Sequence, residues 1–416
     1  IFYLEFLEAY RLNGDKRFDP EFLNMNSEQI KDDFPIFRER PDLSYLDNAA
    51  TSQKPEKVIE AVTQFYEKNN SNVGRGLYEL ANDATQDYEN SRGKVAEFIN
   101  AEEDEVVFVR NTTEAENLLA SSLDFEGDII LSEMAHHSEQ LPWRRKAEIQ
   151  DKEAIFIETE DGKISLSDFK NKITEDTGLV AISHISNVFG AVNPVEEIIE
   201  IAHAYDALVV LDCAQSAPHM KLDVKKLNAD FVTFSGHKML GPSGIGVLYG
   251  RKELLEAMRP YQVGGGMVKS VEKESVRYED PPHKFEAGTP NIAGAVGLKA
   301  AIDYLEDLGL ENIERHSRNL ANEIREGLEK IEGINVVSPD ESLLVSFTSE
   351  SAHPHDLAEI LNQNGVAVRA GNHCAQPQHL ELGISGTVRA CPYIYNTSED
   401  VEKLLETVEE AVRLFQ

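Results

Sequence analysis

Short apolar segments alternate with helical segments between residues 105 and 250, and this alternation restricts the fold more than any other feature of the chain. The apolar segments are rich in β-branched residues and end in polar ones, as buried strands do. Strands that alternate with helices favour a mostly parallel sheet covered by helices on both faces. The sequence predicts strands at 105–109, 128–131, 154–157, 179–184, 207–212, 231–234 and 246–249.

The strand predicted at 231–234 is followed by Ser235, His237 and Lys238, and then by a turn rich in glycine and proline. Burial lowers the pKa of a lysine. Schiff-base chemistry requires the neutral amine, because only that form attacks a carbonyl carbon. Ser235 and His237 are donors suited to a phosphate. A surface loop with an incidental lysine is the alternative interpretation.

The strand predicted at 207–212 ends in Asp212, at the edge where open α/β sheets bind ligands. In pyridoxal-phosphate enzymes such a carboxylate keeps the ring nitrogen protonated, so that the ring accepts electrons. Thr112 and Thr113 add hydroxyl groups at a predicted helix start, whose free N–H groups suit an anion. Ordinary helix capping is the alternative for all three residues.

A second polar loop follows the strand predicted at 366–369 and contains Cys374 between His373 and a proline. A loop cysteine near a cation such as Arg369 can act as a nucleophile. A buried, inert cysteine is the alternative. Farther on, Arg389 suits a carboxylate, which an arginine can bind with two hydrogen bonds, or a structural salt bridge.

The net charge of −34 makes nucleic acid an improbable partner, because a nucleic-acid groove is basic. The acidic residues are spread along the chain, which favours adaptation to high salt over an acidic face for a basic partner. No apolar run is long enough to span a membrane. Three separated cysteines without a CxxC motif argue against a disulfide framework or a zinc site, so we expect an intracellular, cytoplasmic enzyme without a metal.

The chain is expected to form two domains and an N-terminal segment. Residues 1–24 are a native extension or a leader added for expression, and residues 25–45 pack with the smaller domain. Residues 46–300 form the large domain, which binds the cofactor. Residues 301–416 form a smaller α+β domain, which carries the cysteine loop.

Several motifs occur in one order: Asp212 with Gln215, Ser235-Gly-His-Lys238, Phe285 to Asn291, Arg369 to Cys374 and Val388-Arg-Ala390. Together they resemble the SUF-type (group II) cysteine desulfurases, in the class V aminotransferase family of fold-type I pyridoxal-phosphate enzymes. The resemblance extends from about residue 28 to the end of the chain. It implies an α/β fold in which a mostly parallel seven-stranded sheet lies between helices, joined to the smaller domain.

The resemblance implies a site for pyridoxal 5′-phosphate. Lys238 would form the Schiff base and move the Cα proton. Asp212 would pair with the ring nitrogen, while Gln215 contacts the ring hydroxyl. The other implied cofactor residues are His136 stacked on the ring, Thr113, Ser235 and His237 on the phosphate with Thr112 beside them, and Thr289 donated across a dimer interface.

The resemblance also implies the reaction. Asn187 and Arg389 would hold the carboxylate of L-cysteine, with Arg369 nearby. Cys374 would attack the substrate sulfur, so that L-alanine leaves and a persulfide remains on the enzyme. A homodimer would pass this sulfur to an acceptor protein of the SUF system, which assembles iron–sulfur clusters.

Other functions fit parts of the same pattern. The alternatives are a selenocysteine lyase, an aminotransferase, epimerase or kynureninase-like hydrolase of the same fold, and a cofactor-binding scaffold without activity. Departures from the family pattern occur at Cys213, Cys391, Glu116 and Asn372, and the Gly264–Met267 stretch lacks an acidic residue. None of them removes a reacting group, although Asn372 leaves the proton donor near the persulfide open.

Overall fold

The computed structural model of the protein describes residues 18–19 and 24–415. The extension predicted at residues 1–24 lies almost wholly outside these residues, so its nature stays a prediction. No helix within the described residues combines the length and the apolar character that crossing a bilayer would require.

The N-terminal part of the chain contains short strands and four helices, and α3 continues into a π-helical turn at Phe65–Asn69. In chain order these elements are β1 (Phe18–Asp19), β2 (Asn24–Met25), α1 (Ser27–Asp32), α2 (Pro35–Glu39), β3 (Ser44–Tyr45), α3 (Glu56–Gln64) and α4 (Glu79–Ile99).

The central part alternates strands and helices, as the sequence pattern predicts. Its elements are β4 (Val106–Val109), α5 (Thr112–Ser122), β5 (Asp128–Ser132), α6 (His137–Gln150), β6 (Ala154–Ile157), β7 (Thr159–Glu160), β8 (Lys163–Ile164), α7 (Leu166–Lys172), β9 (Thr177–Ser183), α8 (Val195–Ala204), β10 (Leu208–Asp212), α9 (Val224–Leu227), β11 (Phe231–Ser235), β12 (Gly246–Gly250) and α10 (Lys252–Ala257).

The C-terminal part begins with a hairpin and ends with a long helix. Its elements are β13 (Val268–Val271), β14 (Val276–Tyr278), α11 (Ile292–Leu308), α12 (Leu310–Leu328), β15 (Ile334–Val336), β16 (Val345–Ser349), α13 (Pro354–Gln363), β17 (Val366–Ala367), β18 (Arg369–Gly371), α14 (Gln376–Glu381), β19 (Thr387–Ala390) and α15 (Ser398–Phe415).

The central sheet has seven strands in the order β4-β12-β11-β10-β9-β5-β6. Strand β12 runs antiparallel to both neighbours, and the pairs from β11 to β6 are parallel. The predicted α/β fold with a mostly parallel seven-stranded sheet is therefore confirmed. Burial on both faces explains why these strands read as continuous apolar runs.

Alternate residues of each strand enter two separate apolar clusters, one on each face of the sheet. Along β10, Val209 and Leu211 pack on the face covered by α4, α8 and α11, whereas Val210 packs on the face covered by α5 and α6. Asp212 is two residues after Val210, so the two side chains point to the same face of the sheet. Its side chain therefore emerges on the α5–α6 face, at the carboxyl end of the strand.

A second, antiparallel sheet has the order β15-β16-β19-β18. A third apolar cluster joins it to α12, α13 and α15. Strand β3 pairs in parallel with β17, which connects residues 44–45 to this region. The domain boundaries at residues 45 and 300 stay predictions.

The polar stretch between Gly264 and His283 differs from expectation. The sequence suggests an irregular, mobile segment, whereas the structure contains the antiparallel hairpin β13–β14. Val271 and Val276 of this hairpin are exposed. The strands therefore bury no face within the described chain, and so lack the alternating apolar pattern that would have revealed them.

Candidate active site

A cavity of about 720 Å³ opens at the carboxyl ends of β9, β10 and β11, facing the loop that follows β18. Twelve of the thirteen predicted site residues line it: Thr112, Thr113, His136, Asn187, Asp212, Gln215, Ser235, His237, Lys238, Arg369, Cys374 and Arg389. Thr289 does not. It is exposed and lines a separate cavity of about 350 Å³.

Lys238 ends the 3₁₀ turn Gly236–Lys238 that directly follows β11. Burial lowers its pKa to about 8; the negative charge of Asp212 opposes this effect, and the positive charge of Arg389 adds to it. Among the described residues, its Nζ has no hydrogen-bond or ion-pair partner. An amine that faces a cavity without a partner, and loses its proton easily, suits covalent chemistry with a carbonyl group.

The backbone directly before Lys238 is held by the segment 51–54. The carbonyl oxygen of His237 accepts hydrogen bonds from Ser52 N at 3.1 Å, Thr51 Oγ1 at 3.0 Å and Lys54 Nζ at 2.9 Å. Burial lowers the pKa of Lys54 to about 8. These donors fix the orientation of the peptide group that carries Lys238 into the cavity.

Asp212 lines the same cavity and is only 6% exposed. Its Oδ1 accepts a hydrogen bond from the backbone N–H of Ala214 at 2.8 Å. Burial raises the pKa of Asp212, and the positive charge of Lys238 acts against that increase. Gln215 lies nearby, and its Nε2 donates to the carbonyl of Ala49 at 2.9 Å.

His136 is the N-cap of helix α6 and lines the cavity, whereas its neighbour His137 does not line it. The Nδ1 atom of His136 accepts the backbone N–H of Ser138 at 3.1 Å and lies 2.7 Å from Ser138 Oγ. Burial, aided by the charge of Lys238, lowers the pKa of His136 to about 3. The ring is therefore neutral, and its proton is on Nε2, because Nδ1 acts as an acceptor.

Hydroxyl groups of Thr112 and Ser235 lie at the start of helix α5, in another part of the cavity wall. The N–H of Thr112 donates to Ser235 Oγ at 2.9 Å, and the two hydroxyl oxygens are also 2.9 Å apart. Asn111 caps the helix by accepting the N–H of Glu114 at 3.0 Å. A helix start surrounded by hydroxyl donors is suited to a phosphate group.

Arg389 projects from β19 and is 3% exposed. Its Nη1 donates to the carbonyl of Asn187 at 2.7 Å, and its Nη2 lies 3.6 Å from Asp47 Oδ1. Its Nε is buried and has no hydrogen-bond partner among the described residues. Arg369 pairs with the same Asp47 at 2.8 Å. Arg389 lines the cavity, and its positive charge is suited to an acidic ligand group.

Cys374 is exposed at the turn between β18 and α14. Both His373 and Cys374 have left-handed backbone conformations, with φ of 49° and 56°. Non-glycine residues adopt this conformation at a cost of about 1–2 kcal/mol each. Two hydrogen bonds hold the turn: His137 N–H donates to the Cys374 carbonyl at 2.7 Å, and Asn187 Nδ2 donates to the His373 carbonyl at 2.8 Å.

Three residues that support the site were not found from the sequence: Asp47, Lys54 and Ser138. Ser138 follows His136 by two residues, a spacing that could have revealed the contact. Lys54 donates a hydrogen bond to His237, which is 183 positions away, and Asp47 pairs with Arg369, which is 322 positions away. Such distant pairs leave no local signal in a single sequence.

Comparisons with known proteins agree with this geometry. Residues 44–404 match the family model described as aminotransferase class-V. A probable cysteine desulfurase of Halalkalibacterium halodurans is 47% identical over 402 residues, covering 94% of this chain and 99% of the relative.

Two solved structures are similar over most of their length. The apo structure of a cysteine desulfurase from Thermococcus onnurineus NA1 superposes with a TM-score of 0.89 at 43% identity, covering 93% of this chain and 98% of that one. The Escherichia coli cysteine desulfurase CsdA gives a TM-score of 0.88 at 38% identity, with coverages of 94% and 100%.

Proposed function

The chain belongs to the aminotransferase class-V family, and we propose that it is a cysteine desulfurase that collects the sulfur of L-cysteine as a persulfide on Cys374. One observation carries the proposal. A single cavity brings together the amine of Lys238, the carboxylate of Asp212 and the exposed thiol of Cys374, which comes from a loop beyond the central sheet.

Pyridoxal 5′-phosphate is the cofactor, and the residues present fit it. The unpartnered amine of Lys238 suits its aldehyde, and the hydroxyl-lined start of α5 suits its phosphate. Asp212 suits its ring nitrogen, and the neutral ring of His136 suits its aromatic face. Bound pyridoxal phosphate withdraws electrons from the Cα of an attached amino acid.

The chain's own residues orient the substrate and move its proton. Arg389 binds the substrate carboxylate through its guanidinium group, which its contacts with Asn187 and Asp47 keep in place. Lys238, with a pKa of about 8, accepts the Cα proton as a neutral amine. Its lack of competing partners leaves it free for this transfer.

The thiol of Cys374 carries out the sulfur transfer. As a thiolate, its Sγ attacks the sulfur of the bound cysteine; a sulfur–sulfur bond forms, and the bond between Cβ and sulfur breaks. The electron pair of that bond stays on the carbon fragment, which takes up a proton and leaves as L-alanine. The persulfide is exposed to an acceptor because Cys374 lies at the mouth of the cavity.

The assembly state and the partners are part of the proposal. Exposed apolar side chains, including Leu77 at 98% and Val263 at 68%, support a second copy of the chain, to whose cavity Thr289 would contribute. The sulfur acceptor would belong to the SUF iron–sulfur assembly system. Three unpaired cysteines support a cytoplasmic location, and the charge of −34 supports a high-salt environment.

Mass spectrometry of the protein after incubation with L-cysteine tests the central step. We expect one added sulfur atom on the peptide that contains Cys374. Cys374→Ala should retain the cofactor absorbance but gain no sulfur. Cys213→Ser is a matched control, because Cys213 is fully buried and burial raises its pKa; it should gain sulfur as the wild type does. Sulfur on any other residue, or wild-type desulfuration by Cys374→Ala, would contradict the assignment.

A further inference from the structure

Two glutamates lie beneath the active-site cavity without lining it. Glu116 belongs to α5 and Glu139 to α6, and both are 0% exposed. Buried carboxyl groups normally have a cationic partner, because an isolated buried charge is very unfavourable. In the part of the chain that the structure describes, neither glutamate forms an ion pair.

Their hydrogen-bond partners are all neutral groups. Glu116 Oε1 lies 2.9 Å from Thr233 Oγ1, and its Oε2 accepts the indole N–H of Trp143 at 2.8 Å. Glu139 Oε2 lies 2.6 Å from Ser183 Oγ. Its second oxygen, Oε1, is buried and accepts no hydrogen bond from any residue that the structure describes. A neutral acid tolerates such an unpaired carbonyl oxygen far better than a carboxylate does.

The strand register places both glutamates beside Asp212. Asp212 pairs with Thr233 on β11 and with Ser183 on β9. Residues paired in a parallel sheet point to the same face, so the hydroxyls that contact Glu116 and Glu139 flank Asp212 on its two sides. The result is a row of three carboxyl groups under the α5 and α6 helices.

Three adjacent buried carboxyl groups cannot all be ionised, because like charges in a low dielectric repel strongly. Burial and then the charge of Asp212 raise the pKa of Glu116 to about 8. The same two causes, with Glu116 in addition, raise the pKa of Glu139 well above its usual value. The positive charge of Lys238 lowers the pKa of Asp212, but of neither glutamate. The proton therefore stays with the glutamates and the charge stays on Asp212.

We propose that Glu116 and Glu139 are positioning residues that remain protonated and make Asp212 the single anion facing the ring nitrogen of the cofactor. The proposal rests on the proposed function, because the ring nitrogen belongs to pyridoxal phosphate. In Glu116, the indole donor occupies Oε2, which places the acid proton on Oε1, directed at Thr233. Neutral partners on both sides of Asp212 leave its charge uncompensated except by Lys238 and the cofactor.

Infrared difference spectroscopy of the holoenzyme tests the protonation. At neutral pH, the infrared spectrum of Glu116→Gln should lack one C=O stretching band of a protonated carboxylic acid that the wild type shows. The spectrum of Glu139→Gln should likewise lack one such band. Glu148→Gln is the control, because Glu148 is an exposed residue of α6; it should lose a carboxylate band instead. Titrating the wild-type acid bands needs no variant and should show them disappearing only above neutral pH.

The pH profile of kcat/KM tests whether the protonation matters for the site. An ionised glutamate would place a second anion beside Asp212, so the wild-type activity should fall as it ionises. Between about pH 6 and pH 10, the alkaline limb should move upward by about half a pH unit or more in Glu116→Gln and Glu139→Gln, but not in Glu148→Gln.

Retention of every protonated-acid band in both variants, or pH profiles that superpose on the wild type, would overturn the proposal. Failure of the proposed function would look different, because the protein would then take up no pyridoxal phosphate and release no alanine from cysteine. A holoenzyme that desulfurates cysteine but lacks the acid bands refutes only the role of the two glutamates.

Discussion

Replacing Glu116 with glutamine should change how the stability of the protein depends on pH. Glutamine has the same shape, so its amide oxygen can accept the indole N–H of Trp143 and its NH₂ group can donate to Thr233, as the geometry of the wild type allows. It cannot ionise. The substitution therefore removes one titration from the buried row and keeps both hydrogen bonds.

The sign and size of the effect follow from the pKa of Glu116, which is raised from 4.5 to about 8 in the folded protein. Above pH 4.5 the unfolded chain loses this proton while the folded chain keeps it, so unfolding releases a proton. The stability contributed by the raised pKa is thus fully present below pH 4.5 and declines until the pH passes about 8. At about 1.36 kcal/mol per pKa unit, the whole decline is about 5 kcal/mol, of which about 2 kcal/mol falls between pH 6 and pH 8.

Urea unfolding of the cofactor-free protein at several pH values, at one fixed protein concentration, measures this dependence. Between about pH 6 and pH 8 the wild type should lose about 2 kcal/mol more of its unfolding free energy than Glu116→Gln does. Histidines of the unfolded chain also titrate in this range, but they do so in both proteins and cancel in the difference. Glu148→Gln should follow the wild type. Parallel curves for wild type and Glu116→Gln would refute the reasoning.

Three further predictions concern the cavity. The rate at which the cofactor-free protein takes up pyridoxal phosphate should rise with pH up to about 8 and then level off, because the neutral amine of Lys238 is the reacting form. Stopped-flow absorbance measures this rate. A rate that keeps rising towards pH 10.5 would contradict the lowered pKa of Lys238. Arg389→Lys should raise KM for cysteine about tenfold with a smaller effect on kcat, because lysine lacks the paired donors with which a guanidinium holds a carboxylate. Steady-state kinetics decide it, and an unchanged KM would count against the substrate contact. Lys54→Met should lower kcat more than it raises KM, because the variant lacks one hydrogen-bond donor to the carbonyl of His237, the residue directly before Lys238. A kcat and KM equal to those of the wild type would show that the remaining donors suffice.

Most of the central sheet could be predicted from the sequence, because each buried strand is a continuous apolar run ended by polar residues. The predicted strand at 154–157 coincides with β6, and the predicted 231–234 differs from β11 by a single residue at its end. The hairpin β13–β14 was missed because its side chains bury no face of their own. A regular apolar pattern arises where one face of a strand is buried, and an exposed hairpin has no such pattern.

Chemistry that depends on a single strand end was also accessible from the sequence. Lys238 and Asp212 follow buried strands directly, so their placement at the edge of the sheet is a consequence of the strands themselves. Cys374 in its polar loop stood out for the same local reason. That Lys238 and Asp212 share one cavity rests on the parallel arrangement of their strands, which the alternation with helices already implied. The position of Cys374 in the same cavity depends on a loop that follows a strand of the other sheet.

Only the tertiary structure decided which groups set the properties of those residues. The protonation of Glu116 and Glu139 depends on strand register, which places their hydroxyl partners on either side of Asp212. The orientation of Lys238 depends on donors from residues 51–54, and that of Arg389 on Asp47. A pKa or an orientation is the sum of contacts from distant parts of the chain. A sequence read residue by residue can indicate candidate reacting groups, but it does not show which distant neighbours set their pKa values and orientations.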